Sequence, residues 1–108
     1  MRTMAQGQWH PEIDQEIVNT LTEMNGERYN IHKASEEAQE LGLVLNQYLL
    51  KPTKVDKQEI VDEIGDVLIR IQILMNMGLV SEEEVQARID YKLSKYQEYL
   101  DHKLYNQI

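Results

Sequence analysis

The chain has 108 residues, a net charge of −8 and no cysteine. That length holds one domain with a modest core, and the missing cysteine excludes a disulfide framework, a zinc–thiolate site and a cysteine nucleophile. An acidic surface with no clustered basic stripe disfavours polymeric nucleic acid as a partner. There is no run of about 18 apolar residues and no signal-peptide pattern, so the expectation is a cytoplasmic protein with no membrane partner. Phe is absent, Pro11 and Pro52 are the two prolines, and 28% of residues are charged; few breakers and many helix formers point to an all-α chain.

Residues 1–10 carry no period and read as a flexible N-terminal arm, with Trp9 its one large apolar group. Residues 11–108 read as a single all-α domain. Pro11 suits the first turn of a helix, where its missing N–H costs nothing. Ile13, Ile17, Leu21 and Met24 follow at helical spacing, and Asn25-Gly26 ends that helix, with Gly26 free to turn left-handed. Asn30 is placed to cap a second helix reaching about Leu50, with Lys51-Pro52 as its break.

A third helix runs from Thr53 or Asp56 to Met77, with Gly78 as its stop. Its apolar positions, Ile60, Val61, Ile64, Val67, Leu68, Ile69, Ile71, Ile73, Leu74, Met75 and Met77, surround the whole helix. Such a helix must be buried on most sides, and a small bundle covers it poorly, so self-association is expected. Ser81 and Glu84 then have the spacing of a capping box. The helix they open carries Val85, Ile89, Leu93, Tyr96, Leu100 and Leu104 on one stripe. The expected architecture is four helices joined by short loops.

Acidic residues on helices are usually solvated. Glu82, Glu83 and Glu84 fit that reading, since they favour a helix start. Glu63 and Asp66 fit it poorly. They are neighbours on one helix face, among Ile60, Ile64, Val67, Ile69 and Ile73, where an unpaired charge is costly. Arg70, one turn after Asp66, offers an ordinary salt bridge. Glu37 and Glu40 repeat the arrangement on the second helix, with Glu36 extending the acidic run and Lys33 one turn before Glu37. Glu40 lies 12 residues before Pro52 and Glu63 lies 11 after it. An antiparallel pair of helices therefore sets the two pairs at similar heights. Four carboxylates together repel unless some stay protonated or a cation joins them. All the donors are hard oxygens, so Mg²⁺ or Mn²⁺ suits better than zinc. No histidine has the Glu-x-x-His spacing of di-iron bundles. Period and spacing alone do not separate a metal site from an ion-paired structural core.

Glu36-Glu37-Ala38-Gln39-Glu40-Leu41, followed on the next helix by Glu63-Ile64-Gly65-Asp66-Val67-Leu68, resembles the MazG-type all-α nucleoside triphosphate pyrophosphohydrolases. Their signature is an ExxE pair followed by an ExxD pair, and the resemblance spans roughly Asn30 to Leu104. It implies a MazG-type four-helix fold assembled as a homodimer or dimer of dimers. It implies Mg²⁺-dependent hydrolysis of a nucleoside triphosphate between the α and β phosphates, giving the monophosphate and pyrophosphate. By the same resemblance Glu37, Glu40, Glu63 and Asp66 are metal ligands. Glu36, Glu37 and Glu63 serve catalysis, with Glu36 orienting the attacking water. Lys92 and Lys95 stand where relatives contact phosphate, although Lys92-Leu93-Ser94-Lys95-Tyr96 lacks the Asn and Arg that many relatives carry there. Trp9, Tyr48 and Tyr91 are the aromatic groups available to a base, and none marks a particular one. Two other readings stay open: a MazG-like nucleotide-binding or helical interaction module without catalysis, and a structural bundle with ion-paired carboxylates.

Overall fold

The computed structural model describes residues 9–106, so most of the expected N-terminal arm lies outside the described residues. Within them the chain is all-helical: α1 (Gln15–Leu50), α2 (Lys57–Asn76) and α3 (Glu82–Asn106). The helix starts follow side-chain chemistry. Asp14 caps α1 by accepting from the Ile17 N–H at 3.0 Å, so the helix opens after Pro11 rather than at it. Asp56 and Glu59 form a capping box on α2, and Ser81 and Glu84 form the expected one on α3. At the end of α2, Gly78 has φ 80°. The Leu79 and Gly78 amides return to the carbonyls of Leu74 and Met75, the double bond of a Schellman stop.

The expected break at Gly26 is present within α1: its φ 80° and ψ 171° interrupt the helical path and divide the element into two helical segments. Only glycine occupies that region without strain. The second segment does not start on an Asn30 cap. Asn30 is fully buried inside α1, and its Nδ2 donates to the Gly26 carbonyl at 2.9 Å and to those of Leu21 and Thr22 at 3.4 and 3.5 Å. It thus closes the end of the first segment instead of opening the second. Beyond the kink the first segment lies along the end of α2. There Gln15 donates to Asn76, and Asn76 to the Thr22 hydroxyl. The break also sets which face turns inward. Val18 is buried, while Ile17 and Met24 of the expected stripe are 59% and 69% exposed.

The second segment of α1 and α2 form a hairpin across the Lys51–Asp56 connection, and these two helices hold the packing of the chain. The only fully buried large side chains among the described residues are Ile73, Val18 and Asn30. α3 makes scarcely any contact with either helix. The radius of gyration is 17.6 Å, against about 13 Å for a compact domain of this length. No described helix is long and apolar enough to cross a membrane.

Candidate metal centre

The hairpin brings the carboxylates together from both helices. Oxygens of Glu37, Glu63 and Asp66 lie within 4.8 Å of one another. Glu40, one turn after Glu37, is near enough for its carboxyl to help raise those of Glu37 and Glu63. The near-equal arms on either side of Pro52 therefore do set the pairs at one height. Glu37 and Glu63 are half-buried, while Glu40 and Asp66 are exposed. The cluster is thus open on one side and closed on the other, as a site must be that admits a ligand.

The protonation chemistry follows from that setting. Desolvation, the Glu40 carboxyl and the charges of Glu37 and Asp66 together push the Glu63 carboxyl up to about 7. Glu37 is raised for the same reasons, burial first, and the Arg70 guanidinium partly offsets the rise. Glu63 Oε2 is buried with no hydrogen-bond partner. A buried acceptor without a donor is costly, and a cation is the simplest group to satisfy it beside two further carboxylates. Glu37, Glu63 and Asp66 offer oxygen donors only, which fits a hard divalent ion such as Mg²⁺.

Glu36 stands apart from this cluster. It pairs with Lys33 at 3.0 Å and His32 at 3.3 Å, and the Lys33 ammonium holds its carboxyl below the ordinary value. Lys33 thus serves Glu36, not Glu37. No ion pair joins Arg70 to Asp66 among the described residues; one guanidinium Nη of Arg70 is instead buried without a hydrogen-bond partner. Sequence reasoning treated Arg70 as a plain salt-bridge partner and so missed a cation with an unused donor beside the carboxylates. Its position one turn after Asp66 was the available signal.

Lys92 and Lys95 are not brought to the cluster by their own chain. They sit on α3, where Lys92 lies 5.1 Å from the Tyr96 ring centroid and Lys95 lies 5.6 Å from that of Tyr91 and 3.9 Å from Glu98. Trp9 borders a hollow of about 240 Å³ with Pro11, Ile13, Gly65 and Leu68. At 100° per residue, Gly65 and Leu68 lie on the side of α2 away from Glu63, so Trp9 does not face the carboxylates. Comparison with protein-family models, with curated proteins and with solved structures gives no match for this chain.

Proposed function

We propose that the chain is a Mg²⁺-dependent pyrophosphohydrolase that cleaves a nucleoside triphosphate between its α and β phosphates. The observation that carries the reading is the buried, unpartnered Oε2 of Glu63, held with Glu37 and Asp66 in a cluster within 4.8 Å. The order and spacing of Glu37/Glu40 and Glu63/Asp66, which resemble the MazG-type signature, supply the reaction.

Glu37, Glu40, Glu63 and Asp66 would hold the metal, with Mn²⁺ as an alternative ion. The bound ion supplies charge neutralisation on the triphosphate and lowers the pKa of water. The chain's own residues do the rest. Phosphoryl transfer needs positioning and charge compensation more than covalent help. A carboxylate of the cluster left outside the metal's ligands would take the proton from water; without metal, Glu63 and Glu37 are both raised above the ordinary carboxylate value. Glu36 is a weaker base, because Lys33 stabilises its charged form; it is left to orient groups at the rim. Arg70 offers a donor to phosphate from within the hairpin, where Lys92 and Lys95 of the same chain are not brought.

A second reading keeps nucleotide binding and drops hydrolysis. The separation of Lys92 and Lys95 from the carboxylates favours it. The deciding experiment incubates the protein with Mg²⁺ and a panel of ribo- and deoxynucleoside triphosphates and follows monophosphate and pyrophosphate. Stoichiometric formation of both supports hydrolysis at the α–β bond. Binding of a non-hydrolysable triphosphate, with no product from any substrate, selects the second reading and rejects the first.

A further inference from the structure

Successive turns of the hairpin pair off in order. Stepping back along α1 by three, four and three residues gives Glu40, Glu37, Lys33 and Asn30; stepping forward along α2 by the same intervals gives Glu63, Asp66, Arg70 and Ile73. In antiparallel helices these are four matched levels, each about one turn from the next. The acids hold the first two levels. Lys33 and Arg70 hold the third, and the charge of Arg70 acts on both Glu37 and Lys33. The fourth level is closed. Asn30 and Ile73 are fully buried, and the Asn30 amide is tied to the carbonyls of Leu21, Thr22 and Gly26.

Two buried groups along this line lack a partner. Glu63 Oε2 has no donor, and one Nη of Arg70 has no acceptor. They do not answer each other. Seven residues separate them, about 20° short of two full turns and about 10.5 Å along the axis, so they share one face of α2 with the Asp66 level between them. Lys33 is differently placed. Its ammonium is committed to Glu36 at 3.0 Å and lies 5.8 Å from the Tyr29 ring centroid. Arg70 is therefore the cation of the third level with a donor to spare.

A ligand that satisfies both groups carries a cation at one end and acceptor oxygens at the other, as a metal-bound polyphosphate does. Its direction follows from charge and space. The carboxylates available to a proton from water lie on the first two levels, so the reacting α-phosphorus belongs there. The pyrophosphate portion is the most anionic part of the substrate and belongs by the free guanidinium. Beyond Arg70 the buried Asn30 and Ile73 leave no room for a sugar and base.

We infer that Arg70 holds the β- and γ-phosphates of the substrate, and that the nucleoside points the other way along the hairpin, toward the Lys51–Asp56 connection. This assignment of phosphates rests on the reaction proposed above. In that reaction the water oxygen bonds to the α-phosphorus and the bond from that phosphorus to the α–β bridging oxygen breaks. The electron pair passes to the departing pyrophosphate, and the water's proton goes to a carboxylate of the cluster. A planar guanidinium fork matches two phosphate oxygens at once, so Arg70 meets the charge that grows on the leaving group. It also counts phosphates, because a monophosphate held at the acids does not extend to the third level.

The test titrates inorganic pyrophosphate into the full chain with Mg²⁺ present, by calorimetry. The wild type should bind it, Arg70→Gln should bind it about tenfold or more weakly, and Arg70→Lys should fall between, since it keeps the charge and loses the fork. Both variants should keep the rise in melting midpoint that Mg²⁺ alone gives the wild type. Unchanged pyrophosphate affinity in Arg70→Gln, or no binding by the wild type, overturns the inference. Loss of the Mg²⁺ response in both variants assigns Arg70 to the fold and overturns it too. The direction is read on the wild type. A non-hydrolysable triphosphate with a bulky ester on its γ-phosphate should bind about tenfold or more weakly than its parent, and equal binding overturns the orientation. Pyrophosphate binding that depends on Arg70, in a chain that turns over no triphosphate, rejects hydrolysis and keeps Arg70 as the phosphate seat. Turnover with unchanged pyrophosphate affinity in Arg70→Gln does the reverse.

Discussion

Glu36 and Glu63 are the same residue in opposite circumstances. Glu36 has the Lys33 ammonium and the His32 Nε2 in contact, and its carboxyl is held below the ordinary value. Glu63 is half-buried among other acids, has one oxygen with no partner, and is pushed up to about 7. Both lie in acidic runs of an acidic chain. What separates a surface acid from a candidate ligand is therefore compensation. Glu36 has it within its own helix, and Glu63 lacks it in the isolated chain.

The largest expected effect sets the two residues against each other in turnover. Glu63→Gln removes a charged donor and a proton acceptor together, and should lower the rate of triphosphate cleavage by about 10²-fold or more. Glu36→Gln breaks an exposed pair of a kind that contributes only about 0–1 kcal/mol, which sets its effect at less than about tenfold. Steady-state rates of the two variants, with helical content checked by circular dichroism, decide it. Equal losses would erase the distinction and return Glu36 to the centre of the chemistry.

A smaller effect is expected in the binding of Mg²⁺ without substrate. An ion that binds only the folded chain stabilises it by about 2.7 kcal/mol at a hundredfold excess over its dissociation constant, a shift of about 10 °C for a domain of this size. Thermal melts should show that rise for the wild type and for Glu36→Gln. Asp66→Asn, which removes a charged oxygen from the cluster, should lose most of it. A Glu36→Gln chain that no longer responds to Mg²⁺ would place a ligand where the geometry gives an ion pair.

Much of this contrast was legible in the sequence, because it depends on helix periodicity. The Ser81–Glu84 box, the Gly78 stop and the common height of the two carboxylate pairs follow from spacing alone. Glu63 could be singled out because its neighbours are apolar. Other features depend on choices that spacing leaves open. Lys33 can reach a residue three or four positions on, and selects Glu36 rather than Glu37 through the rotamers of both side chains. Asn30 has the chemistry of a cap at either end of a helix; the Gly26 kink turns it toward the carbonyls behind it. The same kink rotates the first segment so that Val18, not Ile17, goes inside. The placement of α3 was the least legible, since an amphipathic stripe states that a partner is needed and not whose it is.

The subtlest effect is the pH dependence of the metal-free chain, where the two acids carry opposite signs. The Glu63 carboxyl is raised from its ordinary 4.5 to about 7. Between those values the folded chain holds a proton that the unfolded chain has released, so stability falls as pH rises through this window. Glu37, also raised, adds in the same direction. Glu36 is lowered. Its contribution is complete above the ordinary carboxylate value and is lost only as pH falls below it, through the lowered one. Melts at pH 5 and pH 8 without metal should therefore show a lower midpoint at pH 8, and Glu63→Gln should reduce the difference. Glu36→Gln should leave that window unchanged and alter the melt only at more acidic pH. Added Mg²⁺ should raise the midpoint more at pH 8 than at pH 5, because the ion takes the carboxylates in their charged form. If instead the wild type melts higher at pH 8 without metal, and Glu63→Gln abolishes that gain, Glu63 is compensated within the chain. The contrast with Glu36 would then be one of exposure alone.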